Sequence, residues 1–445
     1  MNRLLSLFTP PPPIEPMKGS PEEIAASFKG WQTRILLSTM LGYILFYFVR
    51  KNISFAMPGL GRELGITKAD LGLFLTLHGV IYGLSRFVNG ALADRMNARA
   101  LMTTGLVLCA AMNFGFGASS AVMAMGVFWM LNGWVQGMGF PPCARLMAHW
   151  FEPKELATKQ SIWNTSHSIG AGLVAILCGY LAMSGWRYCF YVPAALALIG
   201  SVVLWITLRD TPPSLGLPEV KGTEGSAPLE ADQAAHRRFI RKVVYGNRAI
   251  WMLAIANFFV YIVRYGVLDW GPTFLHEAKH IELKIAGWMM AAFEGSGVVG
   301  MLIAGWATDR IFGGRGARTC VFYMLGAGLA VFALWGLDSG SRAVNTALLC
   351  IAGFFIYGPQ ALIGIAAANL ATKRGASTAA GFTGLVGYFS TIYTGWGIGK
   401  VVETMGWNAG LLSIIAASVL GTAFFLAAWG SRAHGYEQGE QEPIG

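Results

Sequence analysis

Charge is scarce in this sequence. Asp, Glu, Lys and Arg make up 13% of its 445 residues, about half the share usual in a soluble protein, which argues against an ordinary water-soluble domain. Cysteine is sparse as well. Cys109, Cys143, Cys178, Cys189, Cys320 and Cys350 are scattered, mostly in apolar stretches. They show neither metal-site nor disulfide spacing, so they read as packing residues, and no metal or cofactor is expected. Before Lys29 the only apolar patch is Leu4 to Phe8, followed by Pro10 to Pro13. That patch is too short for a secretory leader, and no cleavage site follows. The proline run reads as an extended, mobile tail. No phosphate-cradling glycine loop or nucleophile–base arrangement stands out, so an enzyme is not expected.

Hydrophobic residues, by contrast, make up 54% of the chain. Stretches near 36–57, 71–93, 100–118, 121–143, 162–183, 188–208, 250–274, 286–307, 319–336, 344–369, 378–399 and 408–430 are each about long enough to span a bilayer. The reading is an all-α membrane protein of about twelve transmembrane helices. If the helices alternate, Arg95, Arg99, Arg145, Lys154, Lys159, Arg237, Arg238, Arg241, Lys242, Arg310, Arg315, Arg318, Lys373 and Arg374 fall on one side. The net charge of +10 thus follows membrane topology and does not point to nucleic acid. Positive loops stay inside, which places both termini in the cytoplasm of a multi-pass inner-membrane protein, expected to be a monomer.

Two arginines, Arg50 and Arg264, sit inside these spans. Each costs roughly 2.5–3.5 kcal/mol on insertion scales, so each needs a partner or a watery cavity. Tyr43, Tyr47, Arg50 and Pro58 recur 214 positions later as Asn257, Tyr261, Arg264 and Pro272. A second match runs from Gly90 to Asp94 and Arg95, and again from Gly305 to Asp309 and Arg310. Two six-helix halves follow: a tail at 1–30, a first half at 31–208, a polar linker at 209–248, a second half at 249–430 and a tail at 431–445. Parallel repeats of this kind build the major-facilitator fold, with substrate held near the midplane. The Asp–Arg turns, with Asp94, Arg95, Asp309 and Arg310, read as latches or gates between neighbouring helices.

Tyr43, Tyr47 and Arg50 are spaced to share one helix face, as are Asn257, Tyr261 and Arg264. Aromatic hydroxyls beside a guanidinium suit phosphate oxygens, which arginine grips through a rigid fork. An internal ion pair, or snorkelling toward the interface, is the competing account. Asp269 and Glu294 could serve it, but Lys51, about 100° around the helix from Arg50, is their natural partner and would leave both arginines to an external anion. His167, in Trp163-Asn164-Thr-Ser-His167, is either a packing residue or a third donor that titrates near neutral pH. Arg86 is a further anion contact. Tyr357 and Tyr388 line the cavity or pack in the core.

Tyr43 to Asn52, Trp163 to His167 and Tyr261 to Trp270 resemble the organophosphate:phosphate antiporters, and Ile356 to Gly364 with Ala380 to Tyr388 extend the likeness. The resemblance covers essentially everything after the tail. It implies that Arg50 and Arg264 bind phosphate and that His167 assists. Asn257 to His280 and Gly381 to Tyr388 are most similar to the glycerol-3-phosphate transporters. Hexose-phosphate carriers usually have lysine where Thr383 stands and an acid near Ala380. Arg86, where the family commonly has lysine, departs from the pattern. Asn97-Ala-Arg99 and Pro142 to Leu146 look closer to hexose-phosphate sensors and glucose-6-phosphate carriers.

The expected activity is therefore exchange of a phosphorylated metabolite, glycerol 3-phosphate first, for inorganic phosphate by alternating access. A hexose-6-phosphate or phosphoglycerate antiporter is the alternative within the class. A membrane sensor of sugar phosphates is the alternative outside it.

Overall fold

The computed structural model describes residues 6–93, 95–220, 233–337 and 341–431. Asp94, the linker stretch 221–232 and the tail beyond Ser431 lie outside the described residues. The chain forms two compact units, one of Met1–Leu60 with Leu77–Pro228, the other of Gly61–Thr76 with Leu229–Gly445.

Helices make up the first unit: α1 (Pro21–Lys51), most of α2 (Ile53–Leu64), the later part of α3 (Lys68–Ala93), α4 (Ala98–Ala118), α5 (Val122–Gln136), α6 (Phe140–Trp150), α7 (Pro153–Ser184) and α8 (Tyr188–Thr207). Alpha-helices also build the second: α9 (Gln233–Ile240), α10 (Arg248–Glu277), α11 (Leu283–Arg310), α12 (Gly316–Gly336), α13 (Arg342–Leu370), α14 (Thr372–Phe389) and α15 (Ile398–Ala427). Among the described residues, ten segments are long and apolar enough to cross a bilayer. One of them, Thr378–Ala427, bends at Gly406, where φ is 80°, and so divides into two spans. With α5 and its continuation α6, the spans reach the expected twelve. This is an all-α, multi-span architecture of the major-facilitator kind.

Local chemistry sets the helix starts. Ser20 and Glu23 form a reciprocal capping box at α1, with Pro21 behind it. The Asn97 carboxamide accepts the N–H groups of Arg99 and Ala100 at α4, and Asn247 accepts that of Ala249 at α10. Each satisfies backbone donors that a helix N-terminus leaves without an intrahelical partner.

The repeated proline is handled differently in the two halves. α10 runs straight through Pro272, whereas the first helix is interrupted at Asn52, ahead of Pro58. Asn52 Nδ2 donates to Asn113 Oδ1 (2.8 Å) and to the Cys189 carbonyl (2.8 Å). The Val49 carbonyl accepts from both Asn113 (3.0 Å) and Asn132 (2.9 Å), and Gln136 donates to the Phe46 carbonyl (3.0 Å). Buried polar groups must find partners where water is absent. Here α4 and α5 supply them to the last turn of α1, the turn that carries Arg50.

The proline-rich tail is extended, as its composition suggests, but it is tied down. The Ile14 N–H donates to the Pro213 carbonyl (3.1 Å), that of Met17 to Gly216 (2.8 Å), and the Phe8 carbonyl accepts from Asn97 (2.8 Å). Beside it, Asp210 accepts the Ala98 N–H (2.8 Å) and pairs with Arg145 (3.0 Å), which also donates to the Ala93 carbonyl (2.8 Å). This ion pair closes the turn between α3 and α4. It has no counterpart in the sequence motif that marks the turn.

Asn113→Ala should strip two hydrogen bonds from the α1 break. The expected loss is about 1–3 kcal/mol of stability, read as a lower thermal unfolding temperature in detergent.

Candidate substrate-binding site

In the first unit, α1 presents Tyr43, Tyr47 and Arg50, with both tyrosines buried and the arginine half-buried. The Arg50 guanidinium lies 4.3 Å from the Tyr47 ring centre and 5.1 Å from that of Tyr82 on α3. Tyr43 and Arg50 both hydrogen-bond to Tyr82. Stacking a cation on electron-rich ring faces offsets part of the cost of burying it. α7 brings His167 to 4.6 Å from the Tyr43 ring and 5.6 Å from Tyr47, with Trp163 4.8 Å from Tyr43. Such an approach needs Gly170, because a Cβ there would stand 2.8 Å from the Tyr47 Cβ. His167 Nδ1 lies 2.9 Å from the Asn164 carbonyl, so that nitrogen carries the hydrogen. Arg86 rests 4.0 Å above Phe140, whose ring is 6.4 Å from Tyr43. Tyr43, Tyr47, Arg50, Arg86 and His167 thus gather into one aromatic-walled cluster.

The second unit repeats the arginine with different company. Arg264 on α10 is 5% exposed. Its guanidinium lies 4.8 Å from the Tyr357 ring and 5.3 Å from that of Tyr265. It donates to the Tyr357 hydroxyl (3.4 Å), which donates in turn to Glu294 Oε2 (2.6 Å). Glu294, 1% exposed, therefore has Tyr357 as a partner within its own unit, which spacing along single helices does not reveal. Tyr261 stands 5.5 Å from Tyr388 and 5.4 Å from Tyr265. Asn257 donates to the Thr383 carbonyl (2.9 Å). Gly387 permits that contact, since a Cβ there would meet Asn257 Nδ2 at 2.6 Å. Asp269 is buried further along α10.

Other expected residues lie elsewhere. Arg95 follows α3, and Asp309 and Arg310 end α11; all three are exposed. Asp94 lies outside the described residues. Two cage members escaped the sequence reading. Tyr82 was detectable, four residues before Arg86 on the same face. Phe140, on a separate short helix, carried no such signal.

The family model described as Major Facilitator Superfamily matches residues 39–395. The chain is 39% identical to a probable hexose phosphate transport protein of Chlamydia pneumoniae, over 96% of this chain and 98% of that one. It is 38% identical to the glycerol-3-phosphate transporter of Bacillus subtilis (strain 168), again over 96% and 98%. Among solved structures it resembles a bacterial homolog of the human lysosomal transporter Spinster, with a TM-score of 0.75 at 17% identity, over 96% of this chain and 100% of that one. That last likeness is one of fold alone.

Tyr357→Phe removes the hydroxyl between Arg264 and Glu294. Leaving a buried charged acceptor without that donor costs about 1–3 kcal/mol of stability, read as a lower thermal unfolding temperature in detergent.

Proposed function

The chain belongs to the major facilitator superfamily and, within it, to the organophosphate:phosphate antiporters, and we propose that it exchanges hexose 6-phosphate for inorganic phosphate. It is a multi-pass membrane transporter and not an enzyme. The observation that carries the phosphate part of the reading is the paired setting of Arg50 and Arg264, each a guanidinium bedded on tyrosine rings. A guanidinium held in this way has its charge and its planar fork fixed in orientation, the geometry that suits a doubly charged oxyanion.

The hexose part has separate support. Against it stood Thr383, in the place where hexose-phosphate carriers usually have lysine. Its side chain is 1% exposed and donates to the Ala380 carbonyl (3.0 Å), while its own carbonyl holds Asn257. Position 383 thus serves helix packing in this chain, and the departure loses its weight against a sugar. Tyr43, Phe140, Trp163 and His167 meet one another at tilted and edge-to-face angles, with ring centres 4.6–6.4 Å apart. That aromatic group suits the apolar faces of a hexose ring better than a glycerol chain.

In this reading a phosphate monoester, near −2 at neutral pH, answers the buried positive charge and lets the carrier cycle. Inorganic phosphate does the same on return. In this reading the bound anion is what lets the two arginines pass through the cycle, so the empty carrier cycles slowly and exchange is obligatory. The arginine-rich loops support a reading in which both termini lie on the cytoplasmic side of an inner membrane.

Radiolabelled phosphate exchange in proteoliposomes tests this directly. Glucose 6-phosphate should compete more strongly than glycerol 3-phosphate or 3-phosphoglycerate; the reverse order would sink the hexose assignment. Liposomes without internal phosphate should take up organophosphate far more slowly than loaded ones. Arg50→Lys and Arg264→Lys keep the charge and lose the fork, so each should cut exchange about 10–100-fold, the worth of a charged hydrogen bond. Preserved exchange in both would argue against bidentate phosphate binding.

A further inference from the structure

Behind Tyr82, one turn earlier on α3, stands His78. The spacing puts both side chains, and Arg86 beyond them, on one helix face. The His78 ring is 7% exposed. It lies nearly parallel to Tyr82, at 17° and 6.4 Å, and 5.2 Å from Trp129 of α5. Gly133, one turn further along α5, makes room for it, since a Cβ there would stand 3.0 Å from the His78 Cα. Nε2 is buried and has no hydrogen-bond partner among the described residues. The charged groups that act on the imidazole are Arg50 and Lys51 of α1. On its own helix it meets the phenol of Tyr82, with Arg86 one turn beyond. α5 presents Trp129 and, three residues on, Asn132, neither of which titrates.

An ionisable side chain inside a membrane protein marks function by default, and histidine changes charge close to physiological pH. Here Tyr82 lies against both the imidazole and the arginine: it stacks on one and accepts a hydrogen bond from the other. A proton on His78 adds like charge beside Arg50 and Lys51, whereas an anion on Arg50 supplies the opposite sign. At low dielectric such charges act strongly on one another. Proton and anion are thus linked, and linkage is reciprocal.

Resting on the phosphate reading of Arg50, we propose that His78 is a proton-binding site loaded in step with the anion. Nε2 takes a proton from water as the phosphate group settles on Arg50 and returns it when the anion leaves. No net proton crosses with a one-for-one exchange of dianions, but the affinity for them rises as pH falls through the imidazole range.

Titration calorimetry of the full chain in detergent, in two buffers of different ionisation enthalpy, counts protons taken up per anion bound. The titrant is glucose 6-phosphate at about pH 7.5, where an ester with a second pKa of about 6 is nearly all dianion. Wild type should take up a measurable fraction of a proton, at most one, and His78→Gln about none, while binding itself persists. His167→Gln, though a weaker binder, should keep the uptake. If His78→Gln does not fold, His78→Asn takes its place and should behave the same way. Undiminished uptake in a folded His78 variant, or its loss in His167→Gln alone, overturns the proposal. Should wild type ignore glucose 6-phosphate, the hexose assignment falls and inorganic phosphate becomes the titrant for the same comparison. Failure of both to bind would bring down the phosphate reading and this inference together.

Discussion

A guanidinium inside a helical bundle cannot be left to hydrocarbon, and much of this structure is arranged around that constraint. Arg264 is nearly sealed from solvent, so α13 delivers Tyr357 and α11 delivers Glu294 to complete its surroundings. Arg50 sits in a more open position, bedded on Tyr47 and Tyr82. Close helix approaches serve the same end. A side chain at Gly297 would stand 2.6 Å from the Tyr357 ring, as one at Gly170 would crowd Tyr47. Small residues are where membrane helices can come nearest, and here they bring the arginines their company.

Much of this was legible along the chain because it depends on periodicity. Hydrophobic runs marked the spans, and the i, i+4, i+7 pattern placed Tyr43, Tyr47 and Arg50 on one face. The repeat found Arg264 from Arg50. What escaped were relations between helices far apart in sequence. Glu294 accepts from a tyrosine hydroxyl 63 residues away, a relation that no single-helix spacing announces. Thr383 stands where hexose-phosphate carriers usually have lysine, and its hydroxyl is spent on its own helix. Arg145 and Asp210, a buried pair at 3.0 Å, are 65 residues apart and had no motif to announce them.

Polar residues in the first unit show the same limit. Asn52, Asn113, Asn132 and Gln136 are ordinary letters in apolar stretches, and none belongs to a charged motif. Together they bind two carbonyls of α1 and the side chain that ends it. Sequence gives their types but not their convergence, because each comes from a different turn of α1, α4 or α5. The tail offers the opposite case. Its prolines correctly imply an extended chain, while the backbone bonds that anchor it, to Asn97, Pro213 and Gly216, depend on no side-chain type.

The interrupted first helix has one more consequence. Arg264 is mounted in the middle of α10, a rod of 30 residues, whereas Arg50 rides on the final turn of α1, next to a break. A side chain on a rod can shift only with the whole rod. One beside a joint is steered by whatever holds the joint, here a set of neutral amides reaching in from two other helices. The repeat has reproduced the charge but not its mounting: one arginine sits inside a continuous helix, the other at the boundary between two.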